Sequence, residues 1–350
     1  MGLSELIAFA DVDDAMRWQS LTLEYTDPLG ADWLRRSISA TYEHIRPEDV
    51  TCFAGAQEGM YAALHATLGR DDHAIIVTPS YQSLETIPLG ICSVSAVPLE
   101  PNEGWALSLD AVASAIRRNT RVIAINFPHN PTGALITRAA FDALVELCRY
   151  RGIWLLSDEV YRLTERDPDR QLPHAADAYE RGISLNVVSK AYGLPGLRVG
   201  WIACRDRAAL QRMQAIKQFL STCNAGPSEV LANIALKAGP RILARNGAIA
   251  TANLEALLAF FYCKADLFSV VVPQGGMVAY PRYLGADGVE AFVQRMAEVA
   301  GVVLLPASVF RSELADTPDD RFRIGFGRSD FTAGLAAIKA ALDEGVQNRI

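Results

Sequence analysis

Ser189-Lys190-Ala191-Tyr192-Gly193-Leu194-Pro195-Gly196-Leu197-Arg198-Val199-Gly200-Trp201 follows an apolar run, Ile183 to Val188, that reads as a buried strand. A lysine where such a strand runs out, followed by Gly-Leu-Pro-Gly, sits in a turn rather than on a solvated helix face. Partly desolvated and close to other cations, its amine becomes a usable nucleophile. Arg198 stands eight residues on (198 − 190) and precedes a second apolar stretch, Val199 to Cys204, so it returns to the same end of the sheet as a fixed positive charge. A lone lysine in a loop is ordinarily a surface charge. The segments upstream decide otherwise.

Three of them end apolar strands in residues with chemistry. Thr51-Cys52-Phe53-Ala54-Gly55-Ala56-Gln57-Glu58-Gly59-Met60 is a short strand running into small residues and then a helix expected over Met60–Leu68. Small side chains at a helix start leave backbone N–H groups free to hold an anion. Arg121-Val122-Ile123-Ala124-Ile125-Asn126-Phe127-Pro128, β-branched and without alternation, reads as a parallel strand and empties into His129-Asn130-Pro131-Thr132-Gly133. Gly152-Ile153-Trp154-Leu155-Leu156-Ser157-Asp158-Glu159-Val160-Tyr161 closes a fully apolar strand with a carboxylate. Such a carboxylate is costly unless a positive partner meets it. His129 is read as a structural histidine and Glu159 as a structural carboxylate.

Taken together, S-K-x-x-G-L-P-G-L-R-x-G-W and these upstream motifs, in this order over nearly the whole chain, resemble the class I/II aminotransferases. These are pyridoxal-phosphate (PLP) enzymes of fold type I in the aspartate-aminotransferase-like superfamily. The resemblance implies a three-layer α/β/α architecture with a mostly parallel seven-stranded sheet and a second, smaller α/β domain. The expected division is 13–240 for the large PLP-binding domain and 241–350, with 1–12, for the small one. It further implies that Lys190 holds PLP as a Schiff base and that Arg198 pairs with its phosphate, over a cradle of Gly55, Ala56 and Gln57. Tyr81, in Pro79-Ser80-Tyr81-Gln82-Ser83, would stack on the pyridine face. Asn130 and Tyr161 would hydrogen-bond the phenolic oxygen and stabilise the deprotonated Schiff base. Asp158 would keep the ring nitrogen protonated and so make the ring a better electron sink. Tyr25, in Tyr25-Thr26-Asp27-Pro28-Leu29-Gly30, would reach the phosphate of a partner subunit across a homodimer interface. Arg323, within Arg321-Phe322-Arg323-Ile324-Gly325-Phe326-Gly327-Arg328, would capture the substrate α-carboxylate with its guanidinium fork, with Asn130 beside it; Arg321 and Arg328 are its neighbours in register.

Two departures from the family pattern stand out. A serine or threonine is usual three residues before the lysine, where this chain has Val187, so Ser189 is the candidate hydroxyl for the phosphate. Much of the family's N-terminal arm has no counterpart here. The activity expected is transfer of an amino group from an L-amino acid to a 2-oxo acid, with β/γ-elimination or capreomycidine-synthase-like cyclisation as the alternative, since these use the same residues. Asp27, Glu58, Gln82 and Arg328 are candidates to face the substrate side chain. A PLP-binding regulator without turnover would want a DNA-binding extension or basic patch, and none is visible.

Composition fits a metabolic enzyme. The 350 residues carry a net charge of −7 with scattered cations, which argues against a nucleic-acid partner, and no apolar run approaches a membrane span. Six cysteines (52, 92, 148, 204, 223 and 263) show neither CxxC nor metal-ligand spacing and suit a reducing compartment. Met1-Gly2-Leu3-Ser4-Glu5-Leu6 lacks a basic leader segment, and a cytoplasmic protein is expected.

Overall fold

The structure is a computed structural model and describes residues 1–347. Its central sheet has seven strands: β1 (Val50–Phe53), β2 (His73–Thr78), β3 (Ser93–Pro98), β4 (Thr120–Asn126), β5 (Trp154–Asp158), β6 (Gly182–Val187) and β7 (Gly200–Cys204). They lie in the order β1-β7-β6-β5-β4-β2-β3. Strands β2 to β6 pair in parallel, while β7 runs antiparallel to both β6 and β1. The strands lack apolar/polar alternation because both faces are covered. Ile75, Ile123 and Leu155 face a core shared with Phe141 and Leu144 of the helix Arg138–Arg151. Ala74, Ile76, Val122, Ala124 and Leu156 face the opposite core, with Met60 and Leu64 of the helix Ala56–Thr67. The α/β, three-layer arrangement is the expected one.

The C-terminal third is built differently. The 25-residue helix Gly239–Cys263 leads into β8 (Phe268–Ser269), β9 (Val278–Ala279), β10 (Arg282–Tyr283), β11 (Leu305–Pro306) and β12 (Phe322–Gly325). These form a two-stranded sheet, β10-β8, and a three-stranded antiparallel sheet, β11-β12-β9. Around them Phe261, Phe268, Phe292 and Phe322 pack into one core, and Tyr283 stacks on Phe292 at 4.3 Å. Strands β9 and β10 are separate although only two residues lie between them. Pro281 is one of these, having no N–H to give to a ladder.

Two expectations shift. The helix expected from Met60 already begins at Ala56, because Gly55 takes φ +94° and turns the chain into it. Residues 1–12, expected with the small domain, include a helix Leu3–Ile7 whose Leu6 is buried with Leu34, Ile38 and Ile234, against the large sheet's flank. Of the range 241–350, residues 348–350 lie outside the described residues. No helix among the described residues is long and apolar enough to cross a membrane.

Behind β5 and β6 lies a buried polar network centred on Glu159. Its carboxylate accepts from Ala175 N (2.8 Å), Ser184 Oγ (2.8 Å) and Asn186 Nδ2 (3.0 Å), and pairs with His174 Nδ1. Burial alone would raise its pKa, but His174, the Arg162 charge and the Ala175 N–H hold the carboxylate below its ordinary range. Glu159→Ala strands several of these donors, so chemical denaturation should show a loss of about 3–5 kcal/mol in stability. A loss under about 1 kcal/mol would show the network to be dispensable.

Candidate active site

Three strand ends converge on one cavity of about 290 Å³. Asn126 ends β4, Asp158 ends β5 and Val187 ends β6, and all three line it. Ligands bind outside the carboxyl ends of strands in open α/β sheets, where the connecting loops diverge.

The loop after β6 supplies Ser189 and Lys190, and its return into β7 supplies Arg198. Lys190 is exposed, with Nζ 5.2 Å from the centre of the Tyr161 ring. The partial desolvation expected of it is therefore not provided by the chain's own residues. Arg198 adopts the left-handed region, φ +51° and ψ +47°, uncommon for a residue with a side chain. Its guanidinium donates to the carbonyls of Pro195 (3.3 Å) and Ala54 (3.5 Å) and so lies across Gly55. A Cβ at Gly55 would stand 2.3 Å from Arg198 Nη2, and the φ of +94° would strain any other residue there. Gly55 thus lets the arginine close over the start of the helix Ala56–Thr67, where Ala56 and Gln57 line the cavity in the first turn.

The Ser189 Oγ is buried and has no hydrogen-bond partner among the described residues. The Asp158 carboxyl is buried, and burial pushes it up to about 7, against the lowering effects of the Val160 N–H and Lys190. Both are the marks of groups awaiting a partner. An orphaned hydroxyl in the cavity that Arg198 lines suits a phosphate, and a buried carboxyl close enough to feel a lysine's charge suits a cationic ring nitrogen. The residues present fit PLP.

Asn130 follows β4 in a turn fixed by Pro131 and closed by Gly133. At Gly133, φ is +71° and a Cβ would meet Pro273 at 2.3 Å. The Gly133 carbonyl accepts from Gln274 N (2.8 Å) and Gly275 N (2.9 Å), fastening the Asn130 turn to the segment that leads into β9. Strand β9 pairs with β12, which carries Arg323. Arg323 Nη1 donates to Asn130 Oδ1 at 3.1 Å. Of the three arginines considered, Arg323 lines the cavity. Arg321 donates to the Tyr280 carbonyl at 3.2 Å with its guanidinium 5.0 Å from the Trp105 ring, and Arg328 pairs with Asp330 at the surface.

The cavity thus brings together Ala56, Gln57, Tyr81, Asn130, Asp158, Tyr161, Ser189, Lys190, Arg198 and Arg323, with Gly55 at its edge. Tyr25 is not among them: it is 92% exposed and borders a separate open groove with Cys223 and Pro227. Asp27, Glu58, Gln82 and Arg328 do not line the cavity either; Glu58 is engaged by the backbone of Ala54 and Ser221. His129 is fully buried, bonded through Nδ1 to Thr132 Oγ1 at 2.7 Å, and burial lowers its pKa to about 3, so it is neutral. Sequence reading passed over Asn126. Its amide donates to the Asp158 carbonyl (2.9 Å) and accepts from Asn130 N (2.9 Å), coupling two site residues. A lone amide ending an apolar strand was the available signal.

A lysine, an arginine and a buried carboxylate on the carboxyl edge of this sheet suit a PLP-dependent enzyme, and the likeness to solved PLP-dependent aminotransferases gives the fold as type I. The family model for aminotransferase class I and II matches residues 10–336. The chain belongs to that family, and its cofactor is pyridoxal 5′-phosphate. It is 32% identical to arginine–pyruvate transaminase AruH of Pseudomonas aeruginosa, over 82% of this chain and 74% of that one. Capreomycidine synthase of Streptomyces vinaceus is 29% identical over 92% of this chain and 81% of its own length. Among solved structures, a PLP-dependent aminotransferase from Streptococcus suis superposes with a TM-score of 0.89 at 28% identity, covering 98% of this chain and 91% of that chain.

Proposed function

We propose that this enzyme transfers the amino group of an L-amino acid to a 2-oxo acid, with Lys190 as the covalent anchor and proton carrier. The observation that carries this reading is the convergence, in one cavity, of Lys190, the buried Asp158 and the Arg323–Asn130 pair. When bound, PLP supplies the electron sink that accepts the electron pair left at the substrate Cα. Asp158 holds the positive ring nitrogen, and Asn130 and Tyr161 bind the phenolic oxygen. Gly55, Ala56, Gln57, Ser189 and Arg198 hold the phosphate, and Tyr81 covers the ring. Arg323 takes the α-carboxylate in its guanidinium fork and so fixes which Cα bond faces Lys190. Lys190 Nζ would hold the cofactor and, facing the substrate Cα, would carry the Cα proton.

The division into a large domain, 13–240, and a small C-terminal one that brings Arg323 to the site belongs to this reading. So does a cytoplasmic homodimer with shared sites, in which Tyr25 serves the partner's phosphate. The exposed Leu23, Tyr25 and Phe219 support such an interface, and six free cysteines suit a reducing compartment.

Elimination or cyclisation is the second reading, favoured by the match to capreomycidine synthase. A panel of amino acids decides between them. Stoichiometric 2-oxo acid with accumulating pyridoxamine phosphate is expected; without pyridoxamine phosphate, ammonia or thiol release would establish elimination and a cyclised amino acid would establish cyclisation. Within the panel, Arg323→Ala should raise KM for the best donor by about 10²-fold or more, with a smaller change in kcat, because a charged, bidentate contact is lost. An unchanged KM would move the carboxylate site elsewhere.

A further inference from the structure

Lys217 ends the helix Arg207–Lys217 and is wholly buried. Its ammonium donates to the Pro28 carbonyl and, at 3.3 Å, to Asn224 Oδ1. Both acceptors are neutral, and burial lowers the pKa of the amine, so the charge is kept at a cost. A methionine would fill the space without that cost. What the ammonium adds is direction: two donors that fix two chain segments against each other.

Those segments meet at the anion cradle. Asn224 Nδ2 donates to the carbonyl of Phe53, the last residue of β1, at 2.8 Å, and Gly55 N donates to the same oxygen at 2.7 Å. The Asn224 carbonyl accepts from Thr26 Oγ1 at 2.7 Å. On the other side of Gly55, Glu58 accepts from Ala54 N and from Ser221 N (2.9 Å) and Oγ (3.1 Å). The turn that delivers Ser221 and Asn224 is itself closed on Lys217, whose carbonyl accepts from Leu220 N (2.9 Å) and Thr222 N (3.1 Å). The cradle is therefore held before Gly55 by Asn224, whose side chain the Lys217 ammonium bonds, and after it by Glu58, whose partner Ser221 lies in the same turn.

We propose that Lys217 is a positioning residue for the phosphate site, its buried ammonium fixing the 221–224 turn and the 26–28 segment that together set the backbone at Gly55. This rests on the reading of Gly55, Ala56, Gln57 and Arg198 as the phosphate holders. The ring contacts hang on β2, β4 and β5 instead, so loss of the ammonium weakens the hold on the phosphate and leaves the hold on the ring.

The test titrates cofactor-free protein with PLP and with pyridoxal, which lacks the phosphate; the ratio of the two affinities reads the phosphate site alone. Arg198→Met sets the scale. Lys217→Met should lower the ratio by about tenfold or more, in the range usual for outer partners of a binding group, with pyridoxal affinity unchanged. Thr26→Val, milder and half-buried, should lower it in the same direction. A lower melting temperature with an unchanged ratio in Lys217→Met, or in Thr26→Val should Lys217→Met fail to fold, would reduce Lys217 to packing and overturn the inference. A ratio unmoved by Arg198→Met would instead overturn the phosphate reading on which it rests.

Discussion

Lys190→Ala should fold as the parent does, lose the bond to PLP that borohydride traps, and lose turnover by roughly 10⁴-fold or more. The chain has five lysines, at 190, 217, 237, 264 and 339. Lys190 is the one that lines the cavity. Lys217 is locked between Pro28 and Asn224, Lys237 pairs with Asp11 and Asp14, and Lys264 pairs with Asp343. Because Lys190 is exposed, its truncation should change stability by no more than about 0.5 kcal/mol, which separates loss of chemistry from loss of fold. A reducible adduct surviving in the variant, located by peptide mapping, would assign the anchor to another lysine.

Asp158→Asn should lower kcat by about 10²–10³-fold and change how the cofactor-free protein responds to pH. An unfolded aspartate titrates near 3.9, roughly, whereas burial pushes the folded Asp158 up to about 7. Between those values the folded cofactor-free protein binds more protons than the unfolded chain, so stability falls as pH rises through the window. Full ionisation costs about 4 kcal/mol on this scale. Glu229, also pushed up to about 7 by burial, contributes the same slope to parent and variant and cancels in their comparison. Melting curves of the two proteins at pH 5 and pH 8 should therefore show a smaller decline for the asparagine variant. PLP should protect the parent most at the higher pH, where the ionised carboxylate gains its cation. Equal declines would mean that Asp158 is not the group burdened by burial.

The strands were the most legible part of the chain because a sheet covered on both faces writes itself as continuous apolar runs. Val122–Asn126 and Trp154–Asp158 were visible for that reason, as were the residues at their ends. The C-terminal strands were less so: β8 to β11 are two residues each, too short for any period, and Pro281 separates β9 from β10. In the site, Lys190, Asp158 and Asn130 were legible as polar residues terminating or following apolar runs. Asn126 carried the same signal, an amide ending an apolar strand, but its task of coupling the Asp158 and Asn130 backbones is visible only in three dimensions. The Lys217 hub was illegible for a deeper reason. Its partners Pro28 and Asn224 come from segments 189 and 7 residues away, and nothing local to Ala-Ile-Lys-Gln distinguishes a buried ammonium from a solvated one.

The reversal of β7 against β6 gives the two cofactor anchors different freedoms. Lys190 and Arg198 share a single hairpin loop, Val188 to Val199, whose ends are bonded to each other, Val188 N to the Val199 carbonyl at 3.1 Å. Their spacing is a local property of twelve residues (188 to 199), indifferent to the length of any other connection. Asp158 and Asn130 reach the site from parallel neighbours, and every path to them passes through a crossover helix. Sequence drift in those crossovers can therefore tilt the ring relative to its two tethers, but cannot stretch the tethers apart.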